Sequence, residues 1–338
     1  LNILLLEALI PEAREWLEAR HSVTLQPGLA DDPSALRKAI YNTDAVLVSP
    51  RVVVNREFLD FAPRLSAVAR MIDTTDNIDL ELCRERRIRV IQPTTANVRA
   101  NAEYLLAGLL LLCRRGLGAP LLGGKRGEMR MGRELHGSVV GLLGLAPAAH
   151  ALGMMLAPMG VKLIGYDPAV HHSSPIWSRL NIKPVSMFEL MENADLMSVQ
   201  VMYASRYRGF VNDKLLAHCK RGQGWVSVGR TSLYDTTALA AALQDGRIEA
   251  AVIDTSDPAF VGEGSPLKGL ETLMVTQRLA SFTRESRLRS HWYVADRMHE
   301  TIAAPQGAGI EVAQSAPMDL EQPFKEPVVW GAGQTAAT

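Results

Sequence analysis

Short apolar runs and amphipathic stretches alternate twice along this chain, and that alternation leaves few folds open to it. Strand-like runs at 2–6, 22–25, 45–48, 66–69 and 90–91 are separated by helical stretches at 11–19, 33–41, 56–61 and 80–86. A mostly apolar helix is expected at 98–114. A second series opens at Val139, with strands at 139–143, 161–166, 196–199, 225–228, 250–254 and 273–276, and helices at 147–158, 213–218 and 235–244. Parallel neighbours need a crossover and a helix supplies it, so this pattern predicts an α/β fold of two doubly wound parallel sheets. A last helix, at 283–302, has room to cross back onto the first sheet.

With 338 residues, 47% of them hydrophobic and 21% charged, the chain has material for two cores. Lysine plus arginine equals aspartate plus glutamate, at 36 each, so no basic field favours nucleic acid. No apolar run reaches the ~20 residues of a membrane span, and the first strand lacks the features of a secretory signal. Cys83, Cys113 and Cys219 are odd in number and far apart, which suits free thiols in a reducing, cytoplasmic setting. The histidines show no metal-ligand spacing, and no metal is expected. From Ala303 the composition turns to Pro, Gly and Ala without a period, so 303–338 reads as a solvated tail or as an arm that docks on a partner.

The strand at 139–143 runs into Gly144-Leu145-Ala146-Pro147-Ala148-Ala149, and the next strand closes on Asp167. A strand, a glycine turn, a helix and a second strand ending in an acid are the plan of a Rossmann dinucleotide site. Its glycines allow the tight turn, the approach of pyrophosphate and helix–strand packing, and the acid takes the adenosine ribose. Here the placement is right and the residues differ. Gly144 keeps the first position, Ala146 replaces the second, and Ala149 is a common third. Pro147 suits the first helical position but has no amide to offer an anion. NAD is the expected cofactor, with weak or absent binding, and Asp167 disfavours the 2′-phosphate of NADP.

Further motifs follow in order: Thr75-Asp76-Asn77-Ile78-Asp79, Ala96-Asn97 with Ala102-Glu103, Arg133-Glu134-Leu135-His136-Gly137, and Gly229-Arg230 with Leu233, Asp235 and Ala238-Leu239. Together they resemble the D-isomer-specific 2-hydroxyacid dehydrogenases of the D-3-phosphoglycerate dehydrogenase kind. The resemblance implies a flavodoxin-like substrate domain at 1–97 and 284–302, a Rossmann-type cofactor domain with a dimerisation helix at 98–283, and a separate tail at 303–338. It implies reversible hydride transfer between NAD and a 2-hydroxy or 2-keto acid, in which an arginine grips the carboxylate, a histidine moves the proton and a glutamate tunes the histidine. It also implies a homodimer, or a heterodimer with an active homologue.

Carried over by position, Arg230 matches the substrate-binding arginine, Gly229 and Asp254 fall on cofactor-contact positions, and Asp254 is the residue expected to face the nicotinamide carboxamide. The glutamate falls on Ala259. A two-residue slip would put Asp257 there instead, against the match at Ser265-Pro266-Leu267. The histidine position holds Arg278, which keeps its proton near neutrality, and His291 and His299 on the last helix are conceivable substitutes. The Gly-Val-Gly turn that takes the substrate carboxylate reads Ile72-Asp73-Thr74, so Asp73 and Thr74 become the substrate contacts, and the family's His-x-Pro reads Gln200-Val201-Met202.

These departures gather at functional positions while the core pattern stays whole. Three readings stay open. One is a pseudoenzyme kept as a scaffold, for partner binding or for regulation. Another is an active dehydrogenase with reassigned acid–base residues, Asp257 and a helix histidine among them. The third is a site for a different anion clamped between Arg230 and Arg278, unless Arg278 is only the ion-pair partner of Asp73 or Asp254.

Overall fold

The computed structural model describes residues 1–72, 77–114, 131–202 and 205–303, and of residue 205 the backbone alone. Its first sheet contains β1 (Asn2–Leu5), β2 (Ser22–Leu25), β3 (Ala45–Leu47), β4 (Ala67–Ala69) and β5 (Arg89–Ile91). They run parallel in the order β2-β1-β3-β4-β5, which is the flavodoxin-like winding.

Alternate residues of these strands serve opposite faces. Ile3, Leu5, Ala45, Leu47, Ala67 and Ala69 pack with Leu9, Ala13 and Leu17, and with Val294, Ala295 and Met298 of the last helix, Arg284–Ala303. Leu4, Leu6, Val46, Val48 and Val68 pack the other way, against Leu36, Ile40, Phe58, Leu59 and Leu82. A sheet covered on both faces needs apolar residues at every position, and this is why β3 and β4 read as unbroken apolar runs. The last helix thus crosses back onto the first sheet. Ser286 Oγ bonds to Asn97 Oδ1 and Arg289 Nε donates to the Ala96 carbonyl at 2.9 Å, so the two chain crossings between the sheets are tied side by side.

The second sheet contains β6 (Val139–Leu143), β7 (Lys162–Tyr166), β8 (Lys183–Pro184), β9 (Leu196–Val199), β10 (Gln223–Val228), β11 (Ile248–Asp254) and β12 (Leu273–Thr276). All pairings are parallel, in the order β12-β11-β10-β9-β6-β7-β8, and the winding reverses between β6 and β9 as in a Rossmann fold. One face buries Trp225, Ile253, Met197 and Val199 against Leu190, Leu215, Leu239 and Leu243. The helix Val98–Cys113 lies very close to β10: a methyl on Gly108 would sit 2.6 Å from Val226 Cγ2.

The α/β class and both parallel sheets agree with the sequence expectation. Among the elements that escaped it are β8 and the helices Pro175–Arg179 and Met187–Asn193. Each is too short to show a period, and β8 contains a proline that only an edge strand accepts.

Candidate active site

In sheets wound this way, ligands bind beyond the carboxyl ends of the strands, at the point where the winding reverses. Gly144 stands there, at the end of β6. Its φ is +97°, and a Cβ at this position would lie 2.5 Å from the Val201 nitrogen and 2.6 Å from the Gln200 carbonyl carbon and oxygen, so only glycine fits. Ala146 differs. It precedes the helix Pro147–Leu156 with φ −58° and ψ 157°, a conformation open to any residue, and its methyl is half-buried. The alanine therefore adds no backbone strain, and its effect is confined to what can approach the turn. Ala149 is buried in the first turn of that helix, where a small residue allows close packing.

Donors at this turn are partly spent. The Leu145 amide donates to Asp167 Oδ2 at 2.6 Å, the Ala149 amide to the Ala146 carbonyl at 2.7 Å, and Pro147 has none to give. Asp167 is buried and also accepts the Ala169 amide at 2.7 Å. Beside it, at the ends of β7 and β8, opens a cavity of about 690 Å³ lined by Asp167, His171, His172, Trp177, Ser186 and Glu189 among others. Gln200, just after β9, is buried. Its Nε2 donates to Ser198 Oγ at 2.9 Å, and its Oε1 has no hydrogen-bond partner among the described residues.

The ends of β10, β11 and β12 bring the candidate acid-binding residues together. Gly229 is exposed with φ +137°, and Arg230, half-buried, leads into a short turn at Thr231–Leu233. Thr231 Oγ1 donates to Asp257 Oδ2 at 2.7 Å, which stitches this turn to the loop after β11. Asp257 is exposed, and its other oxygen accepts the Ala259 amide at 3.0 Å. Ala259 is exposed and offers no side-chain chemistry where a glutamate was expected.

Asp254 is buried and engaged from three sides, by Thr276 Oγ1 at 2.6 Å, the Leu279 amide at 2.8 Å and the Ala280 amide at 3.2 Å. It clasps the loop that follows β12. Arg278 sits at the crest of that loop with φ +55° and donates from Nε to Ser256 Oγ at 2.9 Å. The alternative of an Arg278–Asp254 ion pair is corrected here: the carboxylate is turned to Thr276 and two backbone amides, and the guanidinium reaches Ser256. Asp73 and Thr74 lie outside the described residues, as does the tail at 304–338.

The histidines of the last helix have partners of their own. Nδ1 of the buried His291 accepts the Ile10 amide at 3.1 Å, which puts the ring proton on Nε2, and the Arg287 guanidinium lies 3.4 Å from that nitrogen. Burial first, and Arg287 second, push its pKa down to about 4. His299 Nδ1 is paired with His21 Nε2 at 2.8 Å, on the flank of the first sheet. Neither ring is joined to Arg230, Asp257 or Arg278 by a described contact.

Sequence reasoning overlooked three groups: Tyr104, whose hydroxyl meets the last residue of β12, and Arg70 and Glu7, which follow β4 and β1. Tyr104 bonds to Thr276 Oγ1 at 2.6 Å. Burial raises its pKa to about 12, with a smaller lowering by Thr276 and a further rise from Asp254. Arg70, at the end of β4, is buried and bonded to Asn77 Oδ1. Glu7 follows β1, where burial raises its pKa against the pull of Arg70 and Arg51. A charged residue closing an apolar strand was the available signal for Glu7 and Arg70. Among the described residues no cluster of three or more metal-ligating side chains occurs, and no helix is long and apolar enough to cross a membrane.

A profile of the D-isomer specific 2-hydroxyacid dehydrogenase NAD binding domain matches residues 115–280. An (S)-sulfolactate dehydrogenase of Chromohalobacter salexigens is 32% identical over 305 residues, covering 89% of this chain and 98% of that protein. A D-3-phosphoglycerate dehydrogenase of Mycobacterium leprae is 31% identical over 280 residues, covering 80% of this chain and 52% of that protein, so the chain spans about half of that relative. The solved glyoxylate reductase from Paecilomyes thermophila shares the fold, with a TM-score of 0.76 at 19% identity over 89% of this chain and 95% of that one.

Proposed function

This chain belongs to the D-isomer specific 2-hydroxyacid dehydrogenase family, and from that premise we propose an oxidoreductase-lineage protein that keeps an acid-binding cleft and has lost the proton-transfer pair. The observation that carries the reading is Arg278, held at a left-handed crest and bonded to Ser256, with an exposed alanine at 259. Reduction of a 2-keto acid requires a proton on the carbonyl oxygen as well as a hydride on carbon. Two guanidinium groups, Arg230 and Arg278, suit the carboxylate and can polarise the carbonyl, but neither releases a proton near neutral pH. The protein is thus read as a binding scaffold, working alone or paired with an active homologue.

NAD, when bound, supplies or accepts the hydride. Gly144 and the helix Pro147–Leu156 would hold its pyrophosphate and Asp167 its ribose. The donors spent at Leu145 and Ala149, with none at Pro147, support weak binding. Asp167 and Glu189 line the adjoining cavity with no lysine or arginine among its lining residues, which favours NAD over NADP. For pairing, the helix Val98–Cys113 leaves Leu106 and Leu110 half-buried, which supports a homodimer or a heterodimer seam. The (S)-sulfolactate dehydrogenase relative makes 2-hydroxy acids with a second anionic group the first substrates to try.

The test is NADH oxidation by a panel of 2-keto acids, beside calorimetric titration with oxalate. Oxalate binding that disappears in Arg278→Ala, with no turnover, is expected. Turnover abolished by Arg230→Ala would instead favour an active enzyme, the second reading. The exposed Asp257 carboxylate, bonded to Thr231 next to Arg230, supports that reading as a reassigned base.

A further inference from the structure

We propose that Tyr104 is a positioning residue for Arg278, acting through a relay of Thr276 and Asp254. The inference rests on the reading of Arg278 as part of an acid-binding site. Two bonds of 2.6 Å join Tyr104 to Thr276 and Thr276 to Asp254. An ionised carboxylate only accepts, so the Thr276 hydroxyl proton goes to Asp254, and the Tyr104 hydroxyl must donate to Thr276. The direction of the chain is thereby fixed: tyrosine to threonine to carboxylate.

Asp254 in turn accepts the amides of Leu279 and Ala280. The loop 276–280 is wrapped around one carboxylate, and its crest is Arg278 at φ +55°. A left-handed conformation at a non-glycine residue is costly and persists only where surrounding bonds over-determine it. Here those bonds are the ones made to Asp254. Losing the Tyr104 hydroxyl leaves the part-buried Thr276–Asp254 pair short of one donor and frees the crest to relax. The helix Val98–Cys113 gains by this route a direct hold on the acid-binding loop, through a residue that itself never meets the acid.

Oxalate affinity, read by calorimetry, tests the relay, with the thermal midpoint as a control on folding. Tyr104→Phe keeps the ring and removes only the hydroxyl. It should weaken oxalate by about five-fold, the worth of one hydrogen bond, with the midpoint nearly unchanged. Thr276→Val should do the same, the double variant should be no worse than the stronger single one, and Thr276→Ser should stay near wild type. A merely structural tyrosine would shift the midpoint and give additive losses. If Arg278→Ala abolishes oxalate binding while Tyr104→Phe binds as wild type, the relay is wrong and the acid-binding reading survives. If Arg278→Ala binds oxalate as wild type does, that reading falls and takes the relay with it.

Discussion

The carboxylate of Asp167 accepts the Leu145 amide at 2.6 Å, so the acid proposed for a ribose also braces the turn proposed for a pyrophosphate. Two amides of that turn, Leu145 and Ala149, are spent internally, a third is absent at Pro147, and a methyl stands at Ala146. Ala146→Gly should therefore tighten NADH binding by about three- to ten-fold, and Pro147→Ala in that background should tighten it further by restoring a donor. Calorimetric titration with NADH, with NADPH as comparison, reads this out. Unchanged affinity in both variants would show that the turn is not what limits binding.

Acid should loosen the last helix. The pKa of His291 is depressed to about 4 from an ordinary value near 6.5, so below 6.5 the unfolded chain takes up a proton before the folded one does. The stability that His291 contributes is complete above pH 6.5, declines between 6.5 and 4, and is lost below that. Partial solvent screening reduces the effect to about 1 kcal/mol at pH 5. His21, lowered by burial and by His299, acts in the same direction, whereas Glu7, raised by burial, opposes it just above pH 4.5. Urea unfolding at pH 7 and pH 5 should show the loss in the wild type and a smaller one in His291→Asn, whose amide oxygen can still accept the Ile10 amide.

Restoring chemistry is the stricter test of the proposed loss of the proton-transfer pair. Arg278→His combined with Ala259→Glu should raise NADH-dependent reduction of a 2-keto acid from background to a measurable trace, with neither single change sufficient. Equal rates in wild type and double variant, both above background, would move the proton-transfer role to another residue, with Asp257→Asn the next variant to assay.

Removing an anchor of the last helix should be expensive. Met298 is fully buried between that helix and the first sheet, so Met298→Ala should cost about 2–4 kcal/mol in urea unfolding. A loss under 1 kcal/mol would mean that the helix contributes little to the first sheet.

The sheets were legible because their strands are apolar on both faces and their breaks fall at glycine, proline and acid. Gly144 and Asp167 were legible because a glycine turn and an acid close successive strands, whereas Arg230 and Arg278 came only from the family resemblance. What stayed hidden was contact between distant segments. Nothing in the sequence joins Tyr104 to Thr276, or Thr231 to Asp257, since each pair meets only after the sheet is wound. Nor does it reveal that His291 is already committed to the Ile10 amide, 281 positions away, and so is no free acid or base.

The return of Arg284–Ala303 to the first sheet bears on the order in which the molecule can assemble. On the ribosome, β1 to β5 emerge early but lack Val294, Ala295 and Met298, the residues that cover one of their faces. The second sheet is complete in strands once β12 is out, before that cover arrives. The first sheet to be synthesised is accordingly the last to be sealed, and until then Ile3, Leu5 and Leu47, covered only in part by Leu9, Ala13 and Leu17, present apolar surface to chaperones and to neighbouring chains.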